Sequence, residues 1–308
     1  RSTFFAGASF QIYILSQNEK RNRKRRSCAK KVWRQKREKK GSFAFVSKEL
    51  KLHDSKAYKN FLRMSEENLI LKLVGNDLKK ADTNIRNAIS PKEQLCATLR
   101  FLATGESYKS LEYQTRISHS YLVYCIPRVC KSIWENMKDL YLKFPETPQQ
   151  WELIAADFEK KWQFPLCLGT LDGKHISFYA PESEGSYYYN YKGTDSIILL
   201  ALTDAKCKFI YIDVGANGRC NDSGVLSNSS LQSVLNNAAN HFPPDKVIGS
   251  NRLLPHVIIG DSAFALGKHL LKRYSHQTNV YARKIYNKRL SRARQEVERS
   301  FGILSALF

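Results

Sequence analysis

The 308 residues suffice for one large domain or two smaller ones, and a hydrophobic share of 43% is that of an ordinary globular protein. Charge sets the chain apart: 50 Lys and Arg face 28 Asp and Glu, a net +22 that predicts affinity for polyanions, nucleic acid first and an anionic membrane surface second. Seven cysteines without a CxxC pair argue against a zinc ribbon, and their odd, scattered count suits a reducing compartment. No apolar run approaches the ~20 residues of a membrane span. The apolar "FFAGASFQIYIL" near the start is short, contains Gln11 and lacks a small-residue cleavage pattern, so a soluble, intracellular protein is expected.

Residues 20–40, "KRNRKRRSCAKKVWRQKREKK", hold thirteen basic residues and one acid. Such a block reads as a disordered arm for nuclear import or nucleic-acid contact, or as a solvated tail, and disorder is expected over residues 1–42. Residues 43–163 then follow a helical apolar period and form the expected all-helical domain. "SEENLILKLVG" starts on Ser65 with acids in its first turn; "SPKEQLCATLRFLATG" has Ser90 as cap, Pro91 in the first turn and Gly105 as stop. "SYKSLEYQTR", the break "ISHS" and the longer "YLVYCIPRVCKSIWENMKDLYLKF" match a helix-turn-helix with Arg128 and Lys131 as DNA contacts. A plain three-helix packing without DNA fits the same periodicity.

Strands begin at residue 164. "LCLGTLDGKHISFY" carries Asp172 in a run that otherwise reads as buried, and an ionised carboxylate there needs a partner or a cation. "SIILLALTDA" and "KFIYIDVG" form a hairpin about Asp204–Lys206, "GVLSNSSLQSVLNNAAN" reads as one helix, and "HVIIGDSAF" as a short buried strand ending at Asp261. The last segment, "NKRLSRARQEVERSFGILSALF", is helical. Strands, helix, strand and helix in this order imply an α/β layer with a mixed sheet over residues 164–308.

Asp172, Asp261 and Glu298 are spaced 89 and 37 residues apart, two on strands and one on a helix. Two-metal phosphoryl transfer needs carboxylates from different elements around two Mg²⁺ ions about 3.5–4 Å apart, the arrangement of ribonuclease-H-like enzymes. Asp261 ends its strand where α/β sheets place ligand groups. On the helix, Glu298 borders the stripe of Val297, Phe301 and Leu304, whereas Glu296 is placed nearer the polar side. His175, Lys174, Asp222 and Arg219 are candidates behind the ligands or against phosphate: His175 orienting Asp172, Lys174 neutralising it without metal, Arg219 pairing with Asp222. A packed strand histidine and a structural Asp222 are the bland alternatives. Lys192 in the aromatic "SYYYNYK" and Arg292 and Arg294 ahead of Glu298 are candidate DNA contacts.

"LGTLDGKH", "YYNYKG", "LLALTDA", "DVGANGR", "VIIGDSAF" and "RLSRARQEVERSFGIL" occur here in the order seen in PIF/Harbinger-type transposases and the nucleases derived from them. "RFLATGESYKSL", "RIS" and "WELIAADFEKKWQFPLCLG" resemble that family's helical half, so the resemblance runs from about residue 44 to the end. It implies a metal-dependent DNA endonuclease, a hydrolase of phosphodiester bonds cutting at element ends, with a ribonuclease-H-like core and Mg²⁺ or Mn²⁺ as cofactor. Its catalytic acids and metal ligands fall on Asp172, Asp261 and Glu298. It also implies a helix-turn-helix, nuclear residence with or without a cytoplasmic pool, and a Myb-like companion protein. The oligomeric state stays open, a homo-oligomer included. Family members continue past "FGIL", so a C-terminal truncation is expected. The rival reading is a host-adopted or inactive DNA-binding regulator on the same fold.

Overall fold

The computed structural model describes residues 32–64, 67–82, 87–180, 184, 186–249, 252–275 and 280–307. The basic segment before residue 32 and the Ser65 helix start lie outside the described residues. Among those described, no helix is long and apolar enough to cross a membrane. The chain divides into two compact units, the first reaching Tyr141 and the second spanning Leu142–Leu304.

The first unit is helical. The helix Pro91–Thr104 forms where capping chemistry demands it: Ser90 Oγ accepts the Glu93 N–H, the Glu93 carboxylate returns to the Ser90 N–H, and Gly105 ends the helix left-handed at φ 62°. Helix Tyr108–Thr115 follows, then a break at Arg116 (φ 60°) and the long helix His119–Tyr141. Leu95, Leu99, Leu111, Leu122, Ile126 and Ile133 are buried in the interior. Residues 32–40, counted with the arm by composition, are helical here as Val32–Gln35 and Arg37–Lys40. Arg34 pairs with the buried Glu112, and Arg37 lies 3.0 Å from the buried Glu93. Two carboxylates that would be costly to bury alone thereby gain cations.

The second unit carries the mixed sheet flanked by helices. Strands β1 (Cys167–Ser177), β2 (Ser196–Thr203) and β3 (Phe209–Asn217) form an antiparallel meander. The turn between β2 and β3 is held by Asp204, whose carboxylate accepts the N–H groups of Lys206 and Lys208, both at 2.8 Å. After β4 (Lys246–Ile248) and β5 (Arg252–Leu254), a separate two-stranded ribbon, come β6 (Val257–Ile259) and β7 (Leu270–Leu271). They add parallel to the free edge of β1, giving the order β3-β2-β1-β6-β7, the ribonuclease-H-like arrangement. β2 is buried at all eight positions, and its Ile198, Leu200 and Leu202 cluster with Trp151, Val225 and Leu226.

Helix Pro148–Trp162, assigned from sequence to the helical domain, belongs to the sheet unit: Trp151 and Ala155 pack with Leu168 and Leu171 of β1 and with Leu200 and Leu202 of β2. Phe158 joins a second cluster, with Cys167, Ile259, Leu290 and Ala293. The segment read as one helix after β3 is three, Asp222–Asn228, Ser230–Asn236 and Ala238–His241. Ser229 turns extended (ψ 157°) and donates its hydroxyl to the Leu226 carbonyl, which breaks the run. The closing helix is Tyr281–Leu307.

Candidate active site

Strand register builds the site. Along the parallel pair, Cys167 lies beside Val257, Gly169 beside Ile258 and Thr170 beside Ile259, so Leu168 is an extra residue in β1, a bulge. Two residues past the Thr170–Ile259 pair stand Asp172 on β1 and Asp261 just beyond β6. The strand period of two returns Asp172 to the face of Thr170. Asp222 opens the helix Asp222–Asn228, whose N-terminus is capped by Asn221 Oδ1 accepting the Gly224 N–H at 2.7 Å. Its carboxylate lies against Gly173, where a Cβ would fall 2.6 Å from Asp222 Cγ; only glycine allows this approach. Glu298 projects from the last helix, exposed, and Arg294 one turn earlier holds it at 2.5 Å. The same guanidinium lies 3.7 Å from Asp261 Oδ1. Arg294 thus links two of the three acids and acts electrostatically on the third.

Burial pushes the Asp172 carboxyl up to about 6; the charges of Asp222 and Asp261 add to the rise, while Arg294 and the Gly173 N–H oppose it. Asp222 is raised by burial and by Asp261, with His175 acting the other way. His175 is lowered, first by burial and also by Lys192, against the pull of Asp222. This is a pocket of carboxylates short of positive charge, with one arginine partly filling the gap.

The remaining candidates are placed unevenly. His175 Nδ1 meets Ser196 Oγ at 3.0 Å, and its ring stands edge-on to Tyr191 at 5.5 Å. Lys174 lies over the Phe301 ring at 5.6 Å; burial lowers its pKa, and the cation acting on Asp172 is Arg294 instead. Arg219 is exposed and forms no ion pair with Asp222, whose carboxylate turns toward Gly173. Lys192 lies over Tyr191 at 5.4 Å beside the site, and Arg292 is exposed on the last helix. In the helical unit Arg128 turns inward, donating to Gln94 Oε1 and to the Leu78 carbonyl, whereas Lys131 is exposed with Glu135 at 3.7 Å. The helix stripe is also corrected. Glu296 is the buried glutamate, held by Lys161 at 3.0 Å, Arg299 at 2.8 Å and the Cys207 thiol at 3.0 Å. Glu298 is exposed and is connected to Asp261 through Arg294, which contacts both carboxylates. Asn190 and Ser196, which tie the tyrosine loop to His175, escaped the sequence reading; the Asn in "NYKG" is the signal, since its amide closes turns.

The donor set suits a hard divalent cation in kind: oxygen ligands only, from separate elements, with mutual repulsion between Asp172, Asp222 and Asp261. In spacing the set is open: among the described residues no three His, Cys, Asp or Glu side chains stand close enough to hold a metal ion. Arg294 lies between two of them and must move before they can converge.

Relatives sharpen this picture. Residues 171–308 match the model of the DDE superfamily endonuclease. The protein named "Putative nuclease HARBI1" from Rattus norvegicus is 25% identical over 239 residues, 78% of this chain and 64% of its own length, as is its Homo sapiens counterpart. "Protein ALP1-like" from Arabidopsis thaliana is 25% identical over 248 residues, covering 78% of this chain and 60% of its own. The chain therefore spans just under two thirds of the length of these curated relatives. No solved structure matches it. The ribonuclease-H-like sheet agrees with the matched segment: residues 171–308, just under half of this chain, are similar to the DDE superfamily endonuclease domain.

Proposed function

We propose that this chain is a nuclease of the Harbinger transposase type that cuts DNA with Asp172, Asp261 and Glu298. The observation that carries the reading is the register of β1 and β6, which brings Asp172 level with Asp261, together with the Arg294 bridge from Asp261 to Glu298. Asp172, Asp222, Asp261 and Glu298 are the side chains that would hold Mg²⁺ or Mn²⁺. Such an ion, when bound, supplies charge for the phosphate and lowers the pKa of an attacking water. Asp172 and Asp222 fix the donor set from rigid elements, and the peptide of Gly173 orients the first. Arg294, once the acids have another cation, is left one helical turn away with its charge free for a phosphate oxygen. Lys192 and the basic segment draw the DNA by charge, and the helix pair Tyr108–Thr115 and His119–Tyr141 positions it as a helix-turn-helix.

Nuclear residence, a Myb-like companion and assembly with further copies complete the proposal; they rest on the family resemblance. The test is nicking of supercoiled plasmid in Mg²⁺ and in Mn²⁺ by the full chain and by Asp172→Ala, Asp261→Ala and Glu298→Ala. Nicking that disappears in all three supports the reading. Folded, DNA-bound protein that never nicks replaces it with an inactive DNA-binding regulator, and cleavage surviving the substitutions means other acids act.

A further inference from the structure

We infer that the loop Tyr187–Lys192 is a stacking platform for unpaired nucleobases of the DNA strand that crosses the carboxylates. This deepens the nuclease reading and rests on it for the identity of the polymer. The loop shows three tyrosine rings to solvent within five residues: Tyr187 is 51% exposed, Tyr189 53% and Tyr191 80%. Rings of this size are normally taken into the core, and Tyr188 shows that the loop does so where folding requires it. Tyr188 is 6% exposed, packed edge-on against Phe178 at 5.0 Å and Tyr187 at 4.9 Å. Tyr187 gives one edge to this packing and Tyr191 meets His175, yet all three rings keep half or more of their surface in solvent.

The loop is also held in one shape. Asn190 Oδ1 accepts the N–H groups of Lys192 and Thr194 at 2.8 and 3.2 Å, and its Nδ2 donates to Thr194 Oγ1 at 3.1 Å and Ser196 Oγ at 2.8 Å. The Ser196 N–H donates to the Tyr188 carbonyl at 2.9 Å, Tyr189 bridges to Asp195, and Gly193 turns the chain at φ 79°. Rings fixed before a ligand arrives lose little entropy on binding it. Their position is tied to the acids. Ser196 Oγ, bound by Asn190, also meets His175 Nδ1 at 3.0 Å, and the Tyr191 ring stands edge-on to His175, which lies on the strand face opposite Asp172, the face on which Asp222 approaches Gly173. Lys192 sits over Tyr191 at 5.4 Å and supplies a cation beside the rings.

Flat exposed rings with one cation recognise a base by its face and the adjoining phosphate by charge, without reading sequence. In duplex DNA those faces are covered by neighbouring pairs, so only flipped-out or frayed nucleotides can use them. The substrate class that fits is DNA with unpaired bases beside the phosphodiester to be cut.

The test is fluorescence anisotropy in EDTA with the full chain, on a labelled duplex with a short unpaired end and on the same duplex blunt. Wild type is compared with Tyr189→Leu/Tyr191→Leu, which keeps bulk but removes the π-face, and with Tyr189→Phe/Tyr191→Phe, which keeps it. Melting curves establish that each is folded. We expect the Leu pair to weaken binding to the frayed DNA about tenfold or more and to change blunt binding less than about twofold, with the Phe pair near wild type. Equal loss on both DNAs, or no loss on either, overturns the platform and leaves the loop a general surface for phosphate or for protein. Because EDTA removes cleavage, this outcome is separate from plasmid nicking: a chain that nicks but shows no preference loses only the platform, and one that prefers frayed ends without nicking loses only the nuclease.

Discussion

Replacing Asp172 by Asn removes the charge at the centre of the carboxylate pocket while keeping its shape and its oxygen for the Gly173 N–H. Burial and two neighbouring carboxylates hold the Asp172 pKa at about 6, against 3.8 for an unburied carboxyl. Between these two values the folded state binds more protons than the unfolded one, so stability falls as pH rises through the window and stays reduced above it. At about 1.4 kcal/mol per pH unit the full penalty is about 3 kcal/mol at pH 8 and about 1 kcal/mol at pH 4.5. Asn carries no such penalty. Urea unfolding in EDTA is therefore expected to find Asp172→Asn more stable than wild type by about 3 kcal/mol at pH 8, the gap shrinking by about 2 kcal/mol at pH 4.5. Added Mn²⁺ narrows the pH 8 gap by stabilising the wild type alone. A gap that ignores pH, or an Asn variant that is less stable at pH 8, would refute the argument that Asp172 is held there against its own ionisation.

The two glutamates of the last helix divide the labour. Glu296→Ala strips the buried partner from Lys161 and Arg299, both half-exposed and able to recover water, and is expected to destabilise by about 2–3 kcal/mol in urea. Glu298→Ala is expected to stay within about 0.5 kcal/mol of wild type, since its partner is a surface contact; the reverse ranking would undo the assignment of inner and outer glutamate. Gly173→Ala drives a Cβ to 2.6 Å from Asp222 Cγ and is expected to cost about 1–3 kcal/mol by overpacking. Adding Asp222→Ala should then restore most of that stability, and a double-mutant cycle showing plain additivity would mean the two residues do not meet.

Local chemistry was legible in the sequence. Ser90, Pro91 and Gly105 announce a helix because capping is decided within a few residues, and Asp204 announces a hairpin turn for the same reason. Asp172 could be singled out as a carboxylate inside an apolar strand, Asp261 as one at a strand end, and Glu298 as one beside an apolar helix stripe. Their partners could not. Glu296 looked polar-facing because its stabilisers, Lys161 and Cys207, lie 135 and 89 residues away in the chain. Arg294 and Arg128 read as phosphate contacts from charge alone, yet each is engaged inside its own unit, one with Glu298 and the other with Gln94. Whether an arginine faces DNA or a neighbouring carboxylate depends on tertiary packing, which periodicity does not encode. Likewise the long helix after β3 breaks at Ser229, where a hydroxyl competes with the backbone ladder, a choice the apolar spacing cannot register.

The bulge at Leu168 has a counting consequence. If β1 followed β6 without the extra residue, the Cys167–Val257 pairing would carry forward to set Leu171, not Asp172, level with Asp261. A strand shifted by one residue exchanges its two faces, so Asp172 would be sent to the opposite side of the sheet. Every acid would still be present in the chain, in the same order. The candidate site therefore depends as much on one surplus leucine, buried within the sheet, as on the carboxylates themselves: it works as a spacer that sets a mid-strand residue of β1 level with the residue just past β6.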